Sequence, residues 1–235
     1  MTAPLRIDIL TLFPEVIEPV LSASITGRAR AAGLVEWFVT DIRRYADNKH
    51  HKVDDRPFGG GPGMVMMCQP LWDAVLDVES RDPRPAQRIL MTPQGRRLTQ
   101  ELVEVLARRQ RLLLIAGHYE GIDERVIEKL APMEVSIGDF VVSGGELPAM
   151  VLTDAVVRLL PGALGDEASA AEDSFSPLGK SGERLLDCPH YTRPRVWQGL
   201  EVPEVLVSGD HEKVAAWRLE KRIERTRARR PDLER

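Results

Sequence analysis

The sequence predicts an α/β fold with a parallel sheet, on three observations. Leu112–Ala116 is a continuous apolar run that stops at Gly117, the pattern of a strand buried on both faces. Val135–Ile137 is a second buried strand, stopping at Gly138-Asp139. Arg88–Met91 is a third, running into Thr92-Pro93-Gln94-Gly95. Ligands of α/β folds sit in loops at the carboxyl ends of strands. Three successive glycine-bearing strand ends therefore predict a ligand site built from residues 91–95, 117–121 and 137–145.

The remaining elements follow in order. Arg6–Phe13 alternates apolar and polar residues and reads as a strand ended by Pro14. Short helices follow over Glu15–Ser22 and Ser24–Ala32, and Leu34–Ile42 is another strand. Gln69–Val78 is a helix with Pro70 in its first turn, where a missing N–H costs nothing. Thr99–Arg109 is an amphipathic helix with Thr99 as N-cap. Glu124–Leu130 is a short helix. Leu147–Leu160 is helical and almost wholly apolar, so it is buried in the core or against a partner chain. Its polar exceptions, Asp154 and Arg158, are spaced for a local ion pair. Pro161–Arg184 breaks the composition and reads as a mobile linker. Asp210 caps a final helix. The expected division is a first domain over 1–160, a linker over 161–186 and a C-terminal helical domain over 187–235.

Composition narrows the function classes. The chain has 235 residues, 43% hydrophobic and 29% charged, enough for a real core. Cys68 and Cys188 form no CxxC pair, and the five histidines form no HExxH, so no metal ligands are assigned. Met1–Pro4 lacks a signal-peptide pattern, and no apolar run approaches the roughly 20 residues of a membrane span. The expected location is cytoplasmic. Net charge is only −4, so the distribution of charge matters more than its sum. Residues 43–52 hold four Lys/Arg against one acid, and residues 218–230 hold seven against two. Each reads either as a solvated face or as a phosphate-contact surface. Arg218, Arg222, Arg225 and Arg229 recur at helical spacing.

Asp54–Met64 is the richest glycine run, with Gly59, Gly60 and Gly61 at its centre. Charged residues precede it and Pro62 interrupts it, so it is neither a dinucleotide fingerprint nor a P-loop. It reads as a loop where a large planar group can approach the backbone.

Six stretches, in order and at fitting spacing, resemble one family over essentially the whole chain. They are Thr11–Glu15, Val53–Met64, Pro93–Arg96, Ala116–Arg125, Ser136–Ala149 and Asp187–Pro194. The family is that of the bacterial tRNA (guanine-37-N1)-methyltransferases, of the SPOUT methyltransferase class. The resemblance implies a SPOUT-type fold whose parallel-sheet domain carries a deep trefoil knot, an exception to ordinary chain topology. It implies S-adenosyl-methionine held in a bent shape by the three loops. The residues carried over to that role are Met91, Pro93 and Gly95; Gly117, Tyr119, Glu120 and Gly121; and Ile137, Gly138, Asp139, Phe140, Val141, Val142, Gly144, Gly145 and Pro148. It assigns substrate contact to Asp54, Gly59, Gly60, Gly61, Asp187, His190 and Arg193. It implies a homodimer with shared active sites, a C-terminal domain gripping the tRNA anticodon arm, and Mg²⁺ recruited near Glu120. The chain departs from the pattern at Ser176–Arg184, which is several residues longer.

Guanine N1 carries a proton and is a poor nucleophile, so a base must take that proton while charge spreads to O6. A carboxylate within hydrogen-bond reach suits the first task and a guanidinium the second. By resemblance these are Asp173 and Arg158. Composition alone does not choose among the linker carboxylates Glu167, Glu172, Asp173, Glu183 and Asp187. The competing expectations are another SPOUT RNA methyltransferase and a non-catalytic RNA-binding module.

Overall fold

In the computed structural model, residues 3–165, 173–178 and 182–233 are described. The chain divides into two units, Met1–Gly165 and Asp166–Arg235.

The first unit grows from two strands with every residue buried, β1 (Leu5–Thr11) and the Arg111–Ala116 strand. Between them in sequence come α1 (Ile17–Leu21), α2 (Ser24–Ala31), β2 (Val35–Asp41), the short pair β3 (Asp54–Asp55) and β4 (Val65–Met66), α3 (Cys68–Ser80), β5 (Gln87–Arg97) and α4 (Gln100–Ala107). Arg111–Ala116 is thus β6, followed by α5 (Glu124–Leu130), β7 (Met133–Ser136) and α6 (Glu146–Val157). The main sheet runs β2-β1-β6-β5-β7, and each neighbouring pair is parallel. The two-residue period of a strand sends its side chains to two cores. Ile7, Ile9, Leu112 and Leu114 pack with residues of α1, α2, α4 and α6. Leu10, Leu113 and Ile115 pack with residues of α3 and α5. With helices on both faces, the interior strands must be apolar throughout, which is why β6 reads as an unbroken run.

The polar exceptions in those two strands are Arg6, Asp8 and Thr11 of β1 and Arg111 of β6; Asp8 and Arg111 are both 1% exposed. They meet at 2.8 Å near the amino ends of β1 and β6. Arg6 adds a second guanidinium to Asp8 at 2.8 Å. The other Arg111 nitrogens donate to the carbonyls of Val78 at 2.6 Å and Asp82 at 2.7 Å. The first meets a carbonyl in the last turn of α3, where helix carbonyls lack intrahelical partners, and the second holds the segment just beyond it. The network thus locks α3 to the sheet at the edge opposite the strand carboxyl ends.

Element ends follow local chemistry. Thr99 accepts a hydrogen bond from the Leu102 N–H at the start of α4, as its sequence predicts. Asp123 caps α5 through the Arg125 N–H. The apolar helix begins at Glu146 rather than Leu147 and ends at Val157.

In the second unit, the helix expected after Asp210 is α7 (His211–Arg229), capped by the Asp210 carboxylate on the Lys213 N–H. The short strands β8 (Pro177–Leu178) and β9 (Glu183–Arg184) pair, as do β10 (Val196–Trp197) and β11 (Leu200–Glu201). The expected linker is not uniform. The Phe175 N–H donates to Leu185 O at 2.9 Å, and the Leu186 N–H donates to Thr226 Oγ1 of α7 at 2.9 Å. Residues 173–178 and 182–186 therefore belong to this unit. Residues 166–172 and 179–181, which include Glu167 and Glu172, lie outside the described residues. The arginine face of α7 also needs correction: Arg222 is buried and donates to Leu186 O and Asp173 O. It serves packing, whereas Arg218 and Arg229 are exposed.

Removing one partner from a buried ion pair leaves an uncompensated charge, a loss of about 3–5 kcal/mol. Asp8→Ala should therefore lower the unfolding free energy by that amount in urea titration. A midpoint equal to wild type would contradict the role given to this network.

Candidate functional site

Parallel strands bring the carboxyl ends of β5, β6 and β7 to one edge of the sheet, and a cleft of about 290 Å³ opens there. Three loops form it, each shaped by a different device.

The first is an interruption of β5. Val135 of β7 pairs with both Met91 and Arg96, so Thr92–Gly95 is excluded from the ladder and stands out as a loop. Met91 and Pro93 line the cleft. Gly95 lies behind it. A Cβ there would come within 2.3 Å of the Val135 nitrogen, so the close strand approach requires glycine.

The second follows β6. Gly117, His118, Tyr119, Glu120 and Gly121 all line the cleft. Tyr119 sits at φ 63°, an uncommon conformation for a residue with a side chain. The loop is zipped to the glycine-rich segment by backbone bonds, Glu120 N–H to Met64 O at 3.0 Å and Met66 N–H to Gly121 O at 2.9 Å. Burial, and then the Asp54 carboxylate, push the Tyr119 phenol up, while Arg43 pulls it down. Arg43 also donates to the Leu12 carbonyl and lies over the Phe13 ring.

The third runs from β7 to α6. Ile137, Phe140, Val141 and Val142 line the cleft, as do Gly144, Gly145 and Pro148. Gly138, at φ 149°, lies against the Phe140 ring, and Asp139 turns out to pair with Arg97 at 2.6 Å. Gly145 donates its N–H to Gly117 O at 2.7 Å, and a Cβ on it would stand 2.6 Å from Ala116 Cα. Of the cofactor residues expected from the sequence, all but Gly95, Gly138 and Asp139 therefore border the cleft. His118, Ile122 and Ile127 border it as well and were not singled out. His118 was legible as a titratable side chain inside a glycine loop.

The expected substrate residues divide between the units. Asp54 pairs with Met66 across the β3–β4 hairpin. Gly59, Gly60 and Gly61 follow with φ of 85°, 78° and 115°, conformations glycine adopts freely. Phe58 beside them is 98% exposed, an aromatic face with no packing role. The Glu120 side chain lies over Gly63, where a Cβ would meet it at 2.3 Å. The glycine-rich loop and the second cleft loop are thus one joint.

In the second unit, Asp187 is the hub. Its carboxylate meets His190 Nε2 at 2.7 Å and Arg222 Nε at 4.0 Å, and its N–H donates to Ser174 Oγ at 2.9 Å. Burial raises its pKa, but the bonds from His190 and the Cys188 N–H outweigh this and leave it below the ordinary carboxylate value. Ligand atoms of Asp187, Cys188 and His190 lie within 4.8 Å of one another. Burial pushes the Cys188 thiol up, and Arg222 stands beside the carboxylate, so the cluster reads as an ion pair. Asp173 is half-buried, its carbonyl held by the Arg222 side chain and the Ser176 N–H. Arg193 is exposed.

Arg158 follows the last residue of α6. At 1.5 Å per residue it stands roughly 18 Å along the axis from Glu146, at the far end of the helix from the cleft.

Comparison with known proteins gives one answer. The family model described as "tRNA (Guanine-1)-methyltransferase TrmD" matches residues 5–235. A tRNA (guanine-N(1)-)-methyltransferase of Bacillus subtilis (strain 168) is 54% identical over 229 residues, covering 97% of this chain and 92% of that protein. Proteins of the same name from Pseudomonas putida and Moorella thermoacetica are 53% and 54% identical, each covering 97% of this chain and 89% and 90% of their own length. By this extent of likeness, the chain belongs to the tRNA (Guanine-1)-methyltransferase TrmD family.

Proposed function

We propose that this chain transfers a methyl group from S-adenosyl-methionine to N1 of guanine 37 of tRNA, beside the anticodon and in a GG context. The cleft at the ends of β5, β6 and β7, in a chain of this family, carries the proposal. Its chemistry fits the cofactor. Leu90, Ile137 and Val141 offer apolar surface, and the close approach of Gly145 to Ala116 leaves a cradle that a side chain would disturb. The relatives are named for guanine N1 of tRNA, which favours this reading over other SPOUT activities on RNA.

When bound, the cofactor supplies an electrophilic methyl group on a sulfonium. The residues of the chain do the rest. Asp173 takes the N1 proton and Arg158 donates to O6 as charge moves there. Asp54, Gly59–Gly61, Asp187, His190 and Arg193 contact the RNA. The second unit, with exposed Arg218 and Arg229 on α7, holds the anticodon arm through phosphate contacts.

The proposal includes a homodimer. Leu147 and Val151 of α6 are 59% and 48% exposed, with Phe140 and Val141 also exposed. Such grouped apolar exposure fits a protein interface. The distance of Arg158 from its own cleft supports an active site completed by a second copy. A trefoil knot is part of the proposal, carried by the family alone; the Gly145 N–H to Gly117 O bond ties the third loop to the second, and the Leu98 N–H to Ser136 O bond extends the β5–β7 pairing. Mg²⁺ enters only through Glu120, which is in no three-ligand group among the described residues.

Three measurements test this reading. Gly144→Val and Gly145→Val should raise the S-adenosyl-methionine dissociation constant by about 10–100-fold in calorimetry, the effect of overpacking by roughly 1–3 kcal/mol. Unchanged affinity in both folded variants would remove the third loop from the site. Sedimentation at micromolar concentration should give twice the 26.3 kDa chain mass. A fully active monomer would contradict the shared site. Asp173→Asn should slow single-turnover methylation by about 10²–10⁴-fold with cofactor affinity retained, and Glu172→Gln should be nearly silent. Wild-type rates in Asp173→Asn would move the base elsewhere.

A further inference from the structure

His118 Nδ1 is the one buried side-chain nitrogen or oxygen without a hydrogen-bond partner among the described residues. Such an orphan calls for an explanation. His118 lines the cleft, and its ring packs against Phe13 and edge-on to Tyr119, both at 5.0 Å between ring centroids. The Glu146 carboxylate faces it, with Oε2 3.9 Å from Nδ1. Glu146 is itself 7% exposed at the start of α6. Its other oxygen accepts from Thr11 Oγ1 at 2.7 Å. Thr11 Oγ1 accepts in turn from the Phe13 N–H at 2.9 Å, so its single proton is committed to Glu146. Gly144 permits the facing of imidazole and carboxylate. A Cβ there would lie 2.3 Å from Glu146 Oε2 and 2.4 Å from His118 Nδ1, filling the space between them.

We infer that Glu146 is a positioning residue that fixes the His118 imidazole as its Nδ1–H tautomer, leaving Nε2 as the acceptor the ring offers to a donor group of the bound cofactor. The physical reason is the sign of the contact. An Nδ1 lone pair facing a buried carboxylate repels it, and an Nδ1–H attracts it. A carboxylate that fixes a tautomer from behind sets what the other ring nitrogen can do. Small movements on ligand entry bring the 3.9 Å separation to hydrogen-bond length, as contacts in ligand-free sites often tighten on binding. This role rests on the cofactor reading of the cleft, whereas the tautomer does not.

Glu146→Gln separates the two. Thr11 donates to the residue at 146, so a glutamine there keeps its carbonyl oxygen toward Thr11 and turns its NH₂ toward His118 Nδ1. The ring must then become the Nε2–H tautomer. The experiment is ¹⁵N-detected histidine NMR of the full chain at a pH where the ring is neutral, with S-adenosyl-methionine titrated calorimetrically into the same samples. Wild type should show His118 protonated on Nδ1. Glu146→Gln should show it on Nε2 and bind S-adenosyl-methionine about tenfold more weakly, the equivalent of one hydrogen bond. An Nε2–H tautomer in wild type overturns the inference, and this arm needs no variant to fold. Wild-type affinity in a variant whose tautomer has switched also overturns it. Failure of wild type to bind S-adenosyl-methionine overturns the positioning role together with the cofactor reading, whatever the tautomer; that outcome is distinct from a switch without an affinity change.

Discussion

The site depends on one contact between two pieces of backbone. The Gly145 N–H meets the Gly117 carbonyl at 2.7 Å, and the chain there runs so close that a Cβ on Gly145 would stand 2.6 Å from Ala116 Cα. That contact seats the first turn of α6 against the end of β6. It brings Pro148 to the cleft, places Glu146 Oε2 3.9 Å from His118 Nδ1 and sets the span that Phe140–Val142 must cover. Side-chain attraction could not replace it, because any side chain would push the two segments apart. The same device recurs at Gly95 against Val135, where β5 leaves and rejoins the ladder. The cleft is therefore defined by backbone surfaces, with a few side chains set into them.

The two edges of the sheet do different work. At the amino ends of β1 and β6, Asp8, Arg6 and Arg111 form a closed ion network whose remaining donors are spent on the end of α3. Nothing in it is left to meet a ligand, and its role is stability. At the carboxyl ends the balance is reversed. Tyr119 sits at positive φ, Phe58 is almost wholly exposed, and His118 keeps a buried nitrogen unpaired. Strain and unpaired polar groups persist where surrounding structure enforces them, and function is the usual reason. Glu120 links this edge to the glycine-rich loop by lying over Gly63, so the expected cofactor and RNA surfaces share one wall.

Much of this was legible in the residues. Leu112–Ala116 announced a strand buried on both faces, because a short unbroken apolar run ended by glycine is the pattern of a strand covered on both sides. The glycine at each strand end announced the loops. The Thr99 and Asp210 caps followed from local chemistry, which acts over a few residues. What escaped the sequence were events that join distant positions. The pairing of Val135 with both Met91 and Arg96 cannot be read from either strand alone. The burial of Arg222 is invisible in a helical wheel of charges, because it depends on carbonyls of residues 173 and 186. Asp8 stood as one polar position of an alternating strand and Arg111 lay outside the apolar run expected to be β6; only their pairing across β1 and β6 gives both a role. His118 stood in a recognised motif but drew notice only once its neighbours were fixed in space.

The role proposed for this edge of the sheet is methylation of one guanine nitrogen in tRNA. Its most direct measurement uses an unmodified tRNA transcript with guanine at positions 36 and 37, and methyl-labelled S-adenosyl-methionine. After incubation with the full chain, nuclease digestion and mass spectrometry locate the label. The account predicts a single product, 1-methylguanosine at position 37, and no label when position 37 is adenine. Label on a ribose, at another base, or undiminished in the adenine transcript would contradict it.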